Sequence, residues 1–468
     1  MPLLNLQINQ ELYPCSETFP VIDPSTGERF ADAPNAGQEE LNAAVSAAQR
    51  AAPAWGDDVE KRRSLLKSCS ETLMEHAMDI AMLLTQEQGK PFQQACGEIF
   101  GSTKAFDAAA ALDLSTRHLM RDDSVDVQLS RRPLGLVAAI TPWNYPLVLA
   151  SWKIAPALMA GNTVIVKPSP YTPLSTLKMG EVLNQILPPG VLQVLSGDDD
   201  LGRLMTAHPA FAKISFTGST ETGKAIARTT ASDLKRLTLE LGGNDPAIIL
   251  SDVDLDKRAQ AIFWGAFGNA GQVCAAIKRL YVHESIAPRL TEALVEIAKT
   301  VNVGPGMDPD ADMGPINNLA QYERVVELVE DARAEGGHIL TGGTPLPGTG
   351  YFFPPTLITG LSEESRLVKE EQFGPVLPIM TFSDEEEVIH RVNQSKFGLG
   401  SSIWTSDVSR AHRLAARIEA GTTWINGHSN MLVEAPFGGR KWSGMGYENG
   451  EWGLNELTSL HCIQEILN

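Results

Sequence analysis

The feature that most constrains this chain is a change of hydrophobic period at Leu136. From there, short apolar runs alternate with longer stretches of helical periodicity. Leu136 to Ile140, Thr163 to Val166, Val191 to Leu195 and Lys213 to Phe216 read as strands. Tyr145 to Ala160, Ser175 to Leu187 and Glu221 to Thr229 read as helices. A second series opens at Ala247 to Leu250. It continues through a helix at Asp256 to Asn269, a strand at Arg279 to Val282 and a helix at Pro288 to Thr300. Strands alternating with helices in this way require crossover connections, and these give a parallel, doubly wound sheet.

Upstream, Leu41 to Ala54, Val59 to Leu84 and Ala105 to Leu114 read as helices, with a break at Gly89-Lys90-Pro91. Ser124 to Ser130 changes to a two-residue period, matched near the C-terminus at Leu460, Cys462 and Gln464. Two amphipathic strands outside the main alternation suggest an arm or an oligomer edge.

Composition limits the partners. With 38 Lys and Arg against 57 Asp and Glu, the formal charge is −19. An evenly acidic surface repels nucleic acid and anionic lipid, so neither is expected as a partner. The five cysteines form no CxxC pair, and the nine histidines form no HExxH, so no metal site is expected. Met1 to Ser16 lacks a basic leader, and no uncharged apolar run reaches the roughly 18 residues of a membrane span. A cytoplasmic location is the expectation.

Seven short motifs carry possible chemistry. Gly218-Ser-Thr-Glu-Thr-Gly-Lys224-Ala225 follows a strand and nearly spells a P-loop, but Ala225 stands where a magnesium-binding hydroxyl is needed. What remains is a glycine turn opening a helix, suited to a pyrophosphate or simply to a strand-to-helix turn. Glu240-Leu241-Gly242-Gly243 offers a carboxylate, and Gly271-Gln272-Val273-Cys274 a thiol. Together they suit covalent catalysis, which needs a nucleophile and a base. Thr141-Pro142-Trp143-Asn144-Tyr145-Pro146 lies at the carboxyl end of a parallel strand, where such folds bind ligands. Asn144 is either an oxyanion donor or a helix cap. Lys167-Pro168-Ser169, Glu371-Gln372-Phe373-Gly374-Pro375 and Pro436-Phe437-Gly438-Gly439 complete the set.

The order and spacing of these motifs resemble the aldehyde dehydrogenase superfamily, from Val21 to the C-terminal strand, with Glu240 standing 34 residues before Cys274. The resemblance implies an α/β fold: a Rossmann-type doubly wound cofactor domain (1–115 and 132–241), an α/β catalytic domain (242–445) and a β oligomerisation arm (116–131 and 446–468). It implies Cys274 as nucleophile, Glu240 as general base and Asn144 as oxyanion donor. It implies NAD or NADP as cofactor, held by Ile140, Thr141, Pro142, Trp143, Lys167, Ser169, Pro170, Gly218, Ser219, Leu241, Gly242, Glu371 and Phe373. A substrate tunnel would be lined by Tyr145, Leu149, Trp152, Val273, Ala275, His428, Met431 and Phe437. That lining favours an uncharged aliphatic or aromatic aldehyde. Tyr145 with Trp152 also allows a cation–π box for an aminoaldehyde such as betaine aldehyde. The resemblance further implies a homodimer or homotetramer.

Two positions depart from the family pattern. Pro170 replaces a glutamate that many NAD-preferring members carry, which leaves cofactor preference open. Tyr447-Glu448 replaces an Arg-Glu pair. Acyl transfer to coenzyme A, a non-catalytic role and a P-loop NTPase are the rival readings. Retention of Glu240, of Cys274 with Asn144, and the presence of Ala225 weigh against each in turn.

Overall fold

The computed structural model describes residues 5–467; Met1–Leu4 and Asn468, which the expected domain limits include, lie outside the described residues. Leu136–Ile140 is entirely buried and occupies the interior of an eight-stranded sheet. Thr163–Lys167 runs parallel to it on one side and Phe211–Thr217 on the other. Leu192–Val194 and Arg236–Glu240 extend the parallel order outwards. The chain therefore leaves the central strand in opposite directions, which opens a crevice at the carboxyl ends of the strands.

The sheet's two margins come from distant sequence. Leu6–Ile8 and Glu11–Tyr13 form an antiparallel hairpin on one side, where Gln7 pairs with Val194. On the other, Gly444–Met445 runs antiparallel to Leu239 and Glu240. A separate hairpin joins Thr18–Asp23 to Glu28–Pro34. Its turn signal is the Pro24-Ser-Thr-Gly27 segment, where Gly27 takes a left-handed φ of 73°. None of these N-terminal strands was expected.

The second series builds a seven-stranded sheet with Asp245–Ile249 between Ile277–His283 and Gly400–Trp404. Phe263, Phe267, Leu280, Leu290 and Trp404 pack its core on one side. The expected arm strands pair with each other: Thr458–Ile466 lies antiparallel to Val125–Pro133, from Thr458 opposite Pro133 to Ile466 opposite Val125. Arg117–Arg121 adds a third strand.

Two helical expectations are corrected. Val59 to Leu84 is two helices, Val59–Glu75 and Ala77–Gln88, separated at His76, whose ψ is 10°. The bend lets Leu66, Cys69 and Leu73 share one core with Ile80, Ala81 and Leu84. Ala105 to Leu114 is no separate helix but the latter part of Phe92–Ala110. The stripe was obscured because Glu98, Ser102 and Thr103 are buried where apolar residues are the rule. The Asp199–Ala207 helix was missed, although Asp198 caps it by accepting from the Asp200 N–H at 2.9 Å.

Candidate active site

The crevice at the end of Leu136–Ile140 gathers most of the proposed cofactor residues. Ile140 lies opposite Lys167 on one neighbouring strand and Phe216 on the other. Thr141 donates its N–H to Lys167 O at 3.0 Å, and its buried hydroxyl has no protein partner. Pro142 and Trp143 follow, and the Trp143 ring meets Phe373 edge-on at 5.2 Å. Gly218 donates to Glu240 O at 3.0 Å, and Ser219 caps the Thr220–Thr230 helix by accepting from the Thr222 N–H. The helix N-terminus therefore opens towards the crevice, as a pyrophosphate requires. The Lys167 ammonium donates to Pro168 O at 3.1 Å. Burial draws its pKa down to about 8, with Asp199 and Asp198 opposing. Ser169 accepts from the Tyr171 N–H, and Pro170 is half-buried between them. A switch-point crevice, an unpartnered buried hydroxyl and a helix N-terminus together fit a dinucleotide.

The nucleophile candidate sits on a constrained loop. Asn269, Ala270 and Gly271 take positive φ angles of 51°, 55° and 71° in succession. Such backbone is costly for residues with a side chain and persists only where surroundings enforce it. Gly271 is required, since a Cβ there would lie 2.2 Å from Gly374 O. Gln272 supplies the enforcement. Fully buried, it donates to Asn269 O at 2.9 Å and accepts from the Asn317 N–H at 2.8 Å. Cys274 follows, half-buried, between Val273 and Ala275. Burial pushes its thiol up to about 12; Lys278 pulls it down, while Glu240, Glu371 and Asp245 push it further up.

Asn144 is not a helix cap, because Tyr145 holds the N-cap position of Pro146–Met159. The Asn144 amide donates to Gln272 O at 2.9 Å, which leaves its second N–H free of that bond. The Asn144 main-chain carbonyl accepts from Lys90 Nζ at 2.9 Å and from Asn269 Nδ2 at 3.1 Å. Lys90 in turn pairs with Glu98, whose other oxygen accepts from the Leu147 N–H at 2.8 Å. Lys90 and Glu98, neither singled out in the sequence, thus hold the turn against the nucleophile loop. A lysine in a Gly-Lys-Pro break gave no cue to its burial.

Glu240 ends its strand opposite Thr217 and Gly444. Both carboxylate oxygens are buried without a partner. Burial raises its pKa well above the usual carboxylate range; Glu448 adds to that and Lys153 opposes it. Lys153 is buried, bonded to Thr217 Oγ1 at 2.7 Å and paired with Glu448. The signal for Lys153 was a single charge inside the apolar Pro146–Met159 helix.

Leu149, Trp152, Ala275 and Phe437 form one apolar cluster, with half-buried Tyr145, Cys274 and Met431 packed on it. The Trp152 and Phe437 rings meet at 5.9 Å. Val273 flanks the thiol and is half-buried. The Lys90 ammonium lies 3.8 Å above the Tyr145 ring, so one face of that ring already carries a cation. His428 lies against Ala275 and Ala276, next to the nucleophile loop. Its side chain is 0 % exposed, with Nε2 3.7 Å from Asp245 Oδ2. Gly265 admits it, since a Cβ there would come within 3.3 Å of His428 Cβ. Burial lowers its pKa to about 3.

Comparison with known proteins agrees over nearly the whole length. The aldehyde dehydrogenase family pattern matches residues 13–463. Betaine aldehyde dehydrogenase 1 of Oryza sativa is 37 % identical over 95 % of this chain and 91 % of its own. Peroxisomal aminoaldehyde dehydrogenase 1 of Pisum sativum is 38 % identical over 96 % and 92 %. Among solved structures, an aldehyde dehydrogenase from Bacillus cereus superposes with a TM-score of 0.97 at 34 % identity, covering 100 % of this chain and 97 % of that one. The Staphylococcus aureus betaine aldehyde dehydrogenase in complex with NAD+ superposes with a TM-score of 0.95 at 32 % identity, covering 99 % and 98 %. With its fold and its motifs in that order, the chain belongs to the aldehyde dehydrogenase family and is an NAD(P)-dependent oxidoreductase of aldehydes.

Proposed function

We propose that the protein oxidises an aldehyde to a carboxylic acid through an acyl group carried on Cys274. The observation that carries this is an unpartnered, buried carboxylate, Glu240, whose charge is felt at the thiol of Cys274. The thiolate of Cys274 attacks the aldehyde carbon. The oxyanion that forms is held by the free Asn144 N–H and the Cys274 backbone N–H. Thr141, Trp143, Lys167, Gly218, Ser219, Leu241, Gly242, Glu371 and Phe373, with Ile140, Pro142, Ser169 and Pro170, would hold the dinucleotide. When bound, its nicotinamide supplies the acceptor for the hydride that leaves the same carbon. Glu240 then takes a proton from water, the hydroxide attacks the thioester carbon, and the carbon–sulfur bond breaks to release acid and thiolate.

The proposed substrate carries an ammonium group on its tail. Relatives named for betaine aldehyde and aminoaldehydes support this, as does the aromatic cluster of Tyr145, Trp152 and Phe437. An uncharged aldehyde is the second reading, favoured by the Lys90 cation already on Tyr145. The proposed domain limits follow the two sheets except at Gly444–Met445, which falls within 242–445 but joins the first sheet, and the arm is proposed to join copies of the chain. Its exposed Leu119, Met120, Leu460 and Ile463 support a homodimer or homotetramer. The cytoplasm is the proposed compartment, supported by five free cysteines.

A panel of aminoaldehydes, betaine aldehyde, hexanal and phenylacetaldehyde, assayed for NADH and NADPH formation, tests this. The cationic substrates should show the highest kcat/KM. A clear preference for hexanal or phenylacetaldehyde would reverse the choice between the two readings, and inertness to all would remove the function.

A further inference from the structure

Lys278 lies four residues after Cys274, near the start of the Ile277–His283 strand, with its side chain 2 % exposed. A lysine buried this deeply needs compensation from every side. It has it. Nζ donates to Val273 O at 2.7 Å, to Cys274 O at 2.9 Å and to Glu371 Oε1 at 2.7 Å, with Gly243 O at 3.5 Å. The ammonium also lies 5.0 Å from the centre of the Phe373 ring. Glu371 Oε1 accepts a second bond from the Gly243 N–H at 3.1 Å. Its other oxygen fills the space beside Gly242, where a Cβ would come within 2.2 Å. The Lys278 carbonyl accepts from Gln372 Nε2 at 2.9 Å.

One ammonium therefore joins three segments that nothing in the sequence places together: the nucleophile loop, the Leu241-Gly242-Gly243 turn and the Glu371-Gln372-Phe373 loop. The two loop carbonyls it binds flank the Cys274 peptide. The Val273 carbonyl and the Cys274 N–H share one trans peptide, so holding that carbonyl towards Lys278 turns the Cys274 N–H away from it. The positive charge also stands beside a thiol otherwise surrounded by Glu240, Glu371, Asp245, Tyr145 and neutral His428.

We propose that Lys278 is a positioning residue that aims the Cys274 loop and fixes Glu371 in one act, so that nucleophile and cofactor-ribose holder are set by the same buried cation. This rests on the reading of Cys274 as nucleophile. A purely structural staple would hold the loops without altering the thiol's reactivity.

The test uses alkylation of Cys274 by iodoacetamide, followed by mass spectrometry across pH without cofactor or aldehyde, together with KM for NAD and NADP and a thermal melt. Lys278→Met should raise the apparent ionisation pH of Cys274 by about one unit, or about tenfold slower alkylation below it. It should also raise the cofactor KM severalfold. Lys278→Arg keeps the charge and should recover most of the alkylation rate but not the KM. A folded Lys278→Met variant with an unmoved alkylation profile and unmoved KM would overturn the proposal. Should that variant not fold, Glu371→Gln decides. Removing that carboxylate while keeping Lys278 should speed alkylation, and an unchanged profile would equally overturn it. Wild-type enzyme that keeps full activity after complete alkylation of Cys274 would instead overturn the nucleophile assignment beneath it.

Discussion

Lys153 and Glu448, 295 positions apart in sequence, are paired in the interior beside Glu240, with side chains 0 % and 4 % exposed. The pair brings one positive charge between two buried carboxylates. Lys153→Met would leave Glu448 and Glu240 facing each other without it. Breaking a buried pair costs about 3–5 kcal/mol, and denaturant unfolding should register a loss of that order. Lys153→Met combined with Glu448→Leu removes both charges and should regain much of it. Equal stability of the single and double variants would show that the pair carries no net strain when broken.

Activity should rise with pH. The Cys274 thiol is pushed up to about 12 by burial, so the resting group is protonated and the thiolate fraction grows as pH increases. Glu240 is also raised, and it too must be ionised to act as base. Both signs agree. Single-turnover NADH formation should climb through pH 7–10 by up to about tenfold per unit. An optimum near pH 6 contradicts this.

Cys274→Ser should abolish turnover, because a serine hydroxyl has no strong base poised to activate it. Glu240→Gln should give one equivalent of NADH in a burst and then stop, since the thioester forms but water is not activated. Rapid-mixing absorbance at 340 nm resolves burst from steady state, and steady turnover at the wild-type rate excludes Glu240 from the second half.

Asn144→Ala should slow the first half by about a hundredfold, on the order of 3 kcal/mol for one oxyanion donor. It also frees Gln272 O from its 2.9 Å bond. Asn144→Asp keeps the size but can donate neither to an oxyanion nor to Gln272 O, so a comparable loss there assigns the effect to the donated N–H bonds rather than to side-chain volume.

Pro170 stands where a carboxylate would accept from the 2′-hydroxyl of NAD and repel the 2′-phosphate of NADP. Both cofactors should serve in the wild type. Pro170→Glu should raise KM for NADP, while Pro170→Ala, which relaxes the turn without charge, should not. Exclusion of NADP by orders of magnitude in the wild type would place the selectivity elsewhere, Asp198 and Asp199 beside Lys167 being the nearest carboxylates acting on that cation.

The parallel strands from Leu136 onward were legible because each is a short apolar run flanked by turn residues, and burial on both faces demands that pattern. Cys274, Glu240 and Asn144 could be proposed from motifs that resemble the family's. Their supports could not. Lys90, Glu98, Lys153 and Lys278 are charged residues buried against the usual rule, and each is satisfied by a partner remote in sequence, Asn144 O for Lys90 and the Leu147 N–H for Glu98. The burial of His428 was hidden for a related reason: the space it fills is made by Gly265, which its own segment does not reveal.

The pairing of Gly444–Met445 with Leu239 and Glu240 sets an order of assembly. Until about two hundred further residues have been made, the strand bearing Glu240 is an open margin able to pair with another chain. The first sheet can form its interior early, yet the carboxylate is neither enclosed nor joined by Glu448 before the last stretch arrives. An emerging chain therefore gains its folded scaffold well before its base, and a nascent or clipped protein lacking that return would bind cofactor residues together without completing the reaction.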